Sequence, residues 1–226
     1  MKNLTIFSGA GISEESGIPT FRTGENSIWS KYDPEIVCNI KAWPFHMEKS
    51  LDFFNLVRQE VETCKPNSCH IDIANLENKF NINIITTNID ELHEKAGSTN
   101  VIHIHGNVFE SCDLNHHNIE KCHIDIKIGD KHPKSNTQLR HNVVMFGEMP
   151  YNFKEAQHII SQTDILVVIG SSLSVYPAAG LILGAKNVSK KYYVDLEGEK
   201  IEGFECIKEK ATVGIKQLIK YLENEN

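Results

Sequence analysis

Hydrophobic residues follow two kinds of pattern along this chain: short apolar runs typical of strands, and spaced positions typical of amphipathic helices. Five short runs predict strands, because they are rich in β-branched residues or alternate with polar ones. They are residues 4–7, 81–86, 101–106, 164–169 and 192–194. The run D-I-L-V-V-I at 164–169 is the most apolar of the five, which predicts a central parallel strand.

Three further segments predict amphipathic helices. From His46, apolar residues recur at helical spacing up to Val61, and Phe53 and Leu56 widen the buried face. A second helix follows Lys65-Pro66-Asn67, with Asn67 or Ser68 as its cap. A third is expected near the C-terminus, over residues 215–222. Strands and helices thus alternate, as in α/β proteins.

Composition limits the classes of function. The 226 residues suffice for one α/β domain with a small insertion and are too few for two full domains. A net charge of −7 and a pI near 5.9 argue against a nucleic-acid surface. No apolar run reaches the roughly 20 residues that span a bilayer, and no signal-peptide core precedes the first strand. The sequence therefore predicts a cytoplasmic protein without a membrane partner, with its six cysteines as reduced thiols.

The first candidate binding site is Gly9-Ala10-Gly11, at the end of the first strand. Glycines before a short helix expose backbone N–H groups to which a pyrophosphate can bind. The pattern alone is equally compatible with a generic tight turn, because the third glycine and the acidic residue of G-x-G-x-x-G are missing. The following loop, S-G-I-P-T-F-R at 16–22, favours cofactor binding, since the Phe21 ring and the Arg22 guanidinium can lie over a bound ligand.

The run from 5 to 22 resembles the signature of the sirtuins, which are NAD-dependent protein lysine deacylases. Four further segments resemble that family in the same order: T-N-I-D-E-L-H-E-K-A-G at 87–97, H-G at 105–106, V-V-M-F-G-E-M-P at 143–150 and G-S-S-L-S-V-Y-P-A at 170–178. The resemblance implies a single catalytic domain over 1–226, with a doubly wound, Rossmann-like parallel sheet and a small, mostly helical lobe formed by two insertions. The large NAD-binding lobe is expected at about 1–25, 80–108 and 141–226, and the small lobe at about 26–79 and 109–140.

The resemblance also implies NAD as cofactor and roles for three residues. Asn88 would hold the nicotinamide ribose hydroxyls, Asp90 the carboxamide, and His105 would be the base. Read from residue type alone, Asn88 is also compatible with a turn residue and Asp90 with a helix N-cap. His103, on the same face of the predicted strand, is interpreted as structural. The full set of expected cofactor-binding residues is Gly9, Ala10, Gly11, Thr20, Phe21, Arg22, Thr87, Asn88, Ile89, Asp90, Gly170, Ser171, Ser172, Asp195, Glu197 and Ala211.

The substrate implied is an acylated lysine of a peptide or protein. Phe146, Gly147 and Glu148 are expected to pair with an extended peptide by β-augmentation, although the pattern also predicts a short buried strand and a turn. Phe54 and Val57 are expected at the acyl group, where family members that remove succinyl groups carry tyrosine and arginine. Arg58 is displaced by one residue, about 100° around a helix. The sequence therefore predicts a preference for neutral acyl groups such as acetyl.

In most sirtuins, the segment that corresponds to residues 107–140 carries a zinc ribbon with four cysteines. Here Cys112 stands at the first position, Asn115 replaces its partner, and no cysteine lies between Cys122 and Phe146. Histidines could complete a mixed site, but their spacing fits no standard pattern. They are His116, His117, His123 and His132. The sequence predicts a trimmed lobe without metal.

The mechanism implied is acyl transfer to ADP-ribose. The acyl oxygen attacks the nicotinamide ribose as nicotinamide leaves, and His105 deprotonates a ribose hydroxyl, giving free lysine and O-acyl-ADP-ribose. An NAD hydrolase or ADP-ribosyltransferase on the same fold is the first alternative, and the intact H-G and F-G-E segments count against it. A non-catalytic NAD-binding regulator is the second, and the retained Asn88, Asp90 and His105 count against that. The protein is expected to be a monomer.

Overall fold

The structure is a computed structural model that describes residues 1–21, 28–197 and 201–224. Its strands in chain order are β1 (Asn3–Ser8), β2 (Asn81–Thr86), β3 (Val101–His103), β4 (Gly106–Cys112), β5 (Glu120–Lys121), β6 (Arg140–Val143), β7 (Ile165–Ile169), β8 (Lys190–Val194) and β9 (Glu205–Ile207). Its helices are α1 (Ile28–Lys31), α2 (Pro34–Val37), α3 (Trp43–Glu62), α4 (Ser68–Leu76), α5 (Leu92–Lys95), α6 (Phe153–Ser161), α7 (Ala178–Leu183) and α8 (Ala211–Asn224).

Six strands form a parallel sheet in the order β3-β2-β1-β7-β8-β9. The chain starts in the middle at β1, winds outward to β3, and then returns beside β1 at β7. The carboxyl ends of β1 and β7 therefore form the switch point of a doubly wound sheet, where such folds bind ligands. The α/β prediction is confirmed.

The sheet is covered on both faces, and its central strands β1 and β7 are therefore almost entirely buried. Leu4 and Ile6 of β1 pack in one core with α4 and α8, while Phe7 packs on the opposite face with α6 and α7. This alternation follows from the period of two along a strand. The residues of β7, which lie in the most apolar of the five predicted runs, are all buried.

A third core lies under an antiparallel sheet in the order β5-β4-β6. There, α2 and α3 pack against Val108, Phe109, Val143 and Met145. This core includes Val108, Val143 and Met145, which flank the expected second insertion, 109–140. Helix α4, within the expected first insertion 26–79, packs on the large sheet through Cys69, Ile73 and Leu76. The boundaries of the two lobes stay a prediction.

Several local expectations differ from the structure. The first helix after β1 consists of two short 3-10 turns, at Ala10–Ile12 and Glu14–Ser16. Leu56 is 43% exposed and does not widen the buried face of α3. Strand β9 was not predicted, since Ile207 is its one buried residue. Within the described residues, no helix is both long and apolar enough to span a membrane.

Candidate active site

A cavity of about 760 Å³ lies between the carboxyl ends of the large sheet and the small lobe. Most of the residues expected in the site line it. They are Gly9, Ala10, Gly11, Thr20, Phe21, Phe54, Thr87, Asn88, Ile89, His105, Phe146, Gly147, Glu148, Gly170, Ser171, Ser172, Asp195, Glu197 and Ala211. Asp90 and Val57 lie behind this wall and are 5% and 7% exposed. Arg22 lies outside the described residues.

The floor of the cavity is made by two glycine turns that touch each other. Gly9 N–H donates to Ile169 O at 3.1 Å, and Gly11 N–H donates to Gly170 O at 2.9 Å. A Cβ on Gly9 would lie 2.7 Å from Gly170 O, and a Cβ on Gly170, whose φ is +61°, would lie 2.3 Å from Ile12 N. Glycine is therefore required on both sides, and the floor presents backbone without side chains, which suits a pyrophosphate.

Ser13 connects the two polar residues of the 87–90 segment. Asn88 Nδ2 donates to Ser13 Oγ at 3.2 Å, and Ser13 Oγ donates to Asp90 Oδ2 at 3.0 Å. The other Asp90 oxygen accepts the Leu92 N–H at 3.0 Å. Burial raises the pKa of Asp90, and these hydrogen bonds offset part of the increase. Asp90 thus accepts the first N–H of α5, whose N-cap is Glu91, and anchors the loop that carries Asn88.

His105 lies in the turn between β3 and β4 and faces the cavity. The predicted strand is shorter than expected, because β3 ends at His103 and pairing with β2 stops there. The His105 carbonyl accepts the Val144 N–H at 2.9 Å, which joins the expected base to the expected peptide segment. His103 instead bonds Asn88 and Glu94, away from the cavity.

Acceptors and a helix start lie at the far end of the cavity. Asp195 follows β8 and accepts the Glu197 N–H through Oδ1 at 3.0 Å. Glu15, in the second 3-10 turn, accepts the Thr212 N–H at 3.0 Å and the Thr212 hydroxyl at 2.8 Å. Because Thr212 is in the first turn of α8, Glu15 caps that helix and holds Ala211 at the cavity wall.

The expected peptide segment is partly occupied by internal bonds. Phe146 N–H donates to Cys38 O at 2.8 Å, and Ile40 N–H donates to Phe146 O at 3.1 Å. One edge of the segment is thus already paired with the first insertion, and a peptide can add only on the other side. Gly147, whose φ is +91°, turns the chain directly afterwards.

The Glu148 side chain is bonded within the protein, while the expected main-chain pairing of this segment with a peptide stays a prediction. Its carboxylate accepts two bonds from Arg140, at 2.8 and 3.1 Å, and one from the Met145 N–H at 2.8 Å. His116 Nε2 lies 2.8 Å away. Burial alone would raise the pKa of Glu148, but the bonds to His116 and Arg140 outweigh it and lower the pKa to about 2. This ion pair fixes the turn that presents Gly147.

At the acyl end, Phe54 lines the cavity and Val57 does not. Arg58 is 2% exposed. Its guanidinium donates to Asn55 Oδ1 at 3.0 Å and to Asp125 Oδ1 at 3.2 Å, so it lies against the second insertion. Cys38, which the sequence did not single out, lines the cavity, and burial raises the pKa of its thiol to about 12. The acyl end is therefore apolar.

The residues present do not fit a zinc ion. Cys112 Sγ lies 3.7 Å from His116 Nδ1, whose ring also contacts the Tyr151 hydroxyl. Cys122 Sγ bonds to Ile124 O, and His123 is exposed beside Glu62. Among the described residues, no three histidine, cysteine, aspartate or glutamate side chains are grouped to hold a metal. A metal-free lobe stays a prediction.

Three residues of the site escaped sequence reasoning: Ser13, Cys38 and Arg140. Ser13 stands in the polar part of the first motif, two residues after Gly11, and this position was the only signal for it. Arg140 is fully buried and its partner Glu148 lies eight residues on, a spacing that predicts no contact within a strand. Neither local pattern nor composition reveals such pairs.

Comparison with known proteins covers nearly the whole chain. The Sir2 family model matches residues 9–177. An NAD-dependent protein deacylase of Helicobacter pylori is 38% identical over 223 residues, which are 97% of this chain and 96% of that protein. A solved Sir2 homologue in complex with NAD has a TM-score of 0.87 at 32% identity, covering 99% of this chain and 90% of the other. A Sir2 variant with a deacetylated peptide and 3′-O-acetyl ADP-ribose has a TM-score of 0.81 at 31% identity, covering 97% and 93%.

Proposed function

This chain belongs to the Sir2 family of NAD-dependent protein lysine deacylases, and we propose that it removes acetyl and other neutral acyl groups with His105 as the base. The observation that carries the proposal is a single cavity whose wall includes the double glycine floor, Asn88, His105 and the segment ending at Gly147. These are the parts that a dinucleotide and an acyl-lysine need side by side.

Each group has a chemical task that its surroundings support. The glycine floor lets the pyrophosphate approach the backbone closely, because no Cβ lies in the way, and Asp195 and Glu197 offer acceptors to ribose hydroxyls. Asn88 is fixed by its bonds to Gly9 O and Ser13, so its amide oxygen is the polar atom left for a ligand. When bound, NAD supplies the electrophilic ribose carbon that takes the acyl group.

His105 would accept a proton from a ribose hydroxyl. A neutral imidazole suits this task near neutral pH. Its carbonyl is bonded to Val144, so the base and the peptide segment keep a fixed separation. Products would be free lysine, nicotinamide and O-acyl-ADP-ribose.

We further propose that the protein works as a monomer in the cytoplasm, without nucleic-acid or membrane partners. All six cysteines are free in the structure, which is usual for proteins of a reducing compartment. The net charge of −7 tolerates lysine-rich peptides and disfavours nucleic acid.

One experiment separates this function from its alternatives. Purified protein is incubated with NAD, with and without an acetyl-lysine peptide, and nicotinamide and free lysine are measured. Peptide-dependent release supports the proposal; peptide-independent release indicates an NAD hydrolase, and no release a non-catalytic binder. As a control, His105→Ala should lose about 100-fold or more of the rate while ADP-ribose affinity is kept. A variant that retains most of the rate would remove His105 from the role of base.

A further inference from the structure

We infer that His103 is a positioning residue for NAD, acting as an imidazolium that holds the Asn88 carbonyl on one side and the Glu94 carboxylate on the other. This inference rests on the proposed function, because it takes Asn88 to be a ligand of the nicotinamide ribose. It gives a role in the reaction to a histidine that does not face the cavity.

The two partners of His103 can only accept hydrogen bonds. Nδ1 lies 2.9 Å from Asn88 O, and Nε2 lies 2.8 Å from Glu94 Oε1. A neutral imidazole has one N–H and would leave a lone pair facing one of these oxygens. Both bonds form together only when the ring carries two protons and a positive charge. The geometry thus fixes the protonation state.

Charges around the ring agree with this state. Burial alone would lower the pKa of His103, but the bond to Glu94, its charge and the Asn88 carbonyl outweigh burial and raise the pKa; Asp90 adds to the effect. The His93 ring also lies near and stays neutral, because burial holds its pKa well below the usual value. On its open side, His103 shares a second cavity of about 700 Å³ with Lys121, Glu94 and three further glutamates. Those glutamates are Glu91, Glu110 and Glu155.

His103 acts on Asn88 through the backbone. The Asn88 N–H donates to Thr86 Oγ1 at 3.0 Å, and its side-chain amide donates to Gly9 O at 3.2 Å. The carbonyl is held by His103. Because these bonds reach the residue from three directions, the amide oxygen keeps one orientation toward the cavity. Removal of the carbonyl bond frees the peptide unit between Asn88 and Ile89.

The proton on Nδ1 is the one that leaves as pH rises, since the Nε2 proton is held by a full negative charge. Deprotonation then turns a lone pair toward the Asn88 carbonyl. The pKa of His103 is raised in the folded protein, so the positioning effect is complete below the ordinary histidine pKa of about 6.5 and is lost as pH rises through the raised pKa. NAD binding should weaken over the same range.

Two substitutions distinguish positioning from simple packing. His103→Asn places an amide N–H near the position of Nδ1, whereas His103→Gln places one near Nε2. We expect His103→Gln to raise the KM for NAD about tenfold with kcat unchanged, and His103→Asn to stay within about twofold of wild type. Equal KM values for both variants and wild type, with only the melting temperature lowered, would overturn the inference.

The pH profile tests the charge without altering the histidine. Glu94 is 40% exposed, so Glu94→Gln should fold normally. It should move the alkaline limb of kcat/KM for NAD to lower pH by about one unit, because the neutral amide no longer favours the imidazolium. Glu155→Gln is the matched control, since it removes a charge from the same cavity without a bond to His103. An unmoved limb in Glu94→Gln would contradict the role of the charge.

Two measurements keep this test separate from the proposed function. The ¹⁵N shifts of His103, assigned by comparison with His103→Gln, should show both ring nitrogens protonated at neutral pH. Calorimetric titration with ADP-ribose should show the same order of affinities as the KM values. A singly protonated ring at neutral pH would overturn the inference even in an active enzyme. Wild-type protein that does not deacetylate would instead sink the proposed function, while the ring's protonation would still be decided.

Discussion

The Arg58 guanidinium lies 3.2 Å from the Asp125 carboxylate, and this ion pair ties helix α3 to the second insertion. Arg58 also donates to Asn55 Oδ1 at 3.0 Å and to Ile124 O, and it is 2% exposed. The N–H groups of Arg58 thus bond to two segments of the small lobe, helix α3 and residues 124–125. A cation so placed is not available at the acyl end of the cavity, where Phe54 lies.

Acetyl-lysine should therefore be a better substrate than succinyl-lysine. A succinyl carboxylate against Phe54 and Cys38 would lose its hydration without gaining a cation, at a cost of several kcal/mol. Deacylation rates of matched acetyl and succinyl peptides at equal concentration measure the preference. Faster turnover of the succinyl peptide would mean that Arg58 leaves Asp125 to bind the substrate.

Replacement of Arg58 should destabilise the lobe without changing the preference between acyl groups. Arg58→Met removes the bonds to Ile124 O and Asp125, and we expect a loss of about 2 kcal/mol in the free energy of unfolding. Arg58→Lys keeps the charge but has fewer N–H donors, so its stability should lie between those of wild type and Arg58→Met. Urea denaturation of the three proteins gives the order. A wild-type stability in Arg58→Met would show that the ion pair is dispensable.

Metal should be unnecessary for folding and activity, because Cys112 and Cys122 each have other partners. Purified protein should contain no stoichiometric zinc by elemental analysis, and its melting temperature should not change with a chelator. A stoichiometric metal whose removal lowers the melting temperature would show that histidines of the lobe replace the missing cysteines.

Stability should fall as pH drops below about 6.5. Burial lowers the pKa of His70 to about 4 and that of His141 to about 3. Both stay neutral when folded and take up protons on unfolding, so each should cost about 2 kcal/mol between neutral pH and about pH 5. Denaturation at the two pH values measures the slope, and His141→Leu should reduce it. The pKa of Glu148 is lowered as well, and the stabilisation from its ion pair is lost only as pH falls from 4.5 to about 2.

An unchanged slope in His141→Leu would contradict this account of the buried ring. The substitution is suitable because both His141 nitrogens are buried without a hydrogen-bond partner among the described residues, and the ring packs 5.6 Å from that of Phe54. Leucine removes the titrating group and leaves no donor unpaired.

Elements whose signal is local could be predicted from the sequence. Strands β1, β2, β7 and β8 carry continuous buried runs, and the Asn67 cap of α4 accepts the Cys69 N–H as its residue type suggests. The surface against which α4 packs could not be predicted. An amphipathic pattern shows that one face of a helix is buried, but it does not show which element covers that face. The contact of α4 with the large sheet is therefore known only from the structure.

The candidate site shows the same division. Motifs located Asn88, His105 and the glycine turns on one cavity, since their positions follow from strand ends. The ion pair of Glu148 with Arg140 could not be predicted, because folding of the 140–148 segment brings the two residues together and no periodicity encodes this contact. The role of His103 likewise depends on Glu94, which reaches it from a neighbouring helix.

The contact between the two glycine turns has a consequence for how this protein can vary. A methyl group on Gly11 and one on Gly170 would each press the turns apart at the same place, because each would lie 2.8 Å from the Cα atom of the other glycine. The damage from two alanines should then be less than additive, since the first already opens the gap that the second needs. Residues separated by most of the chain therefore behave as one unit under substitution, and tolerance at either position depends on what occupies the other.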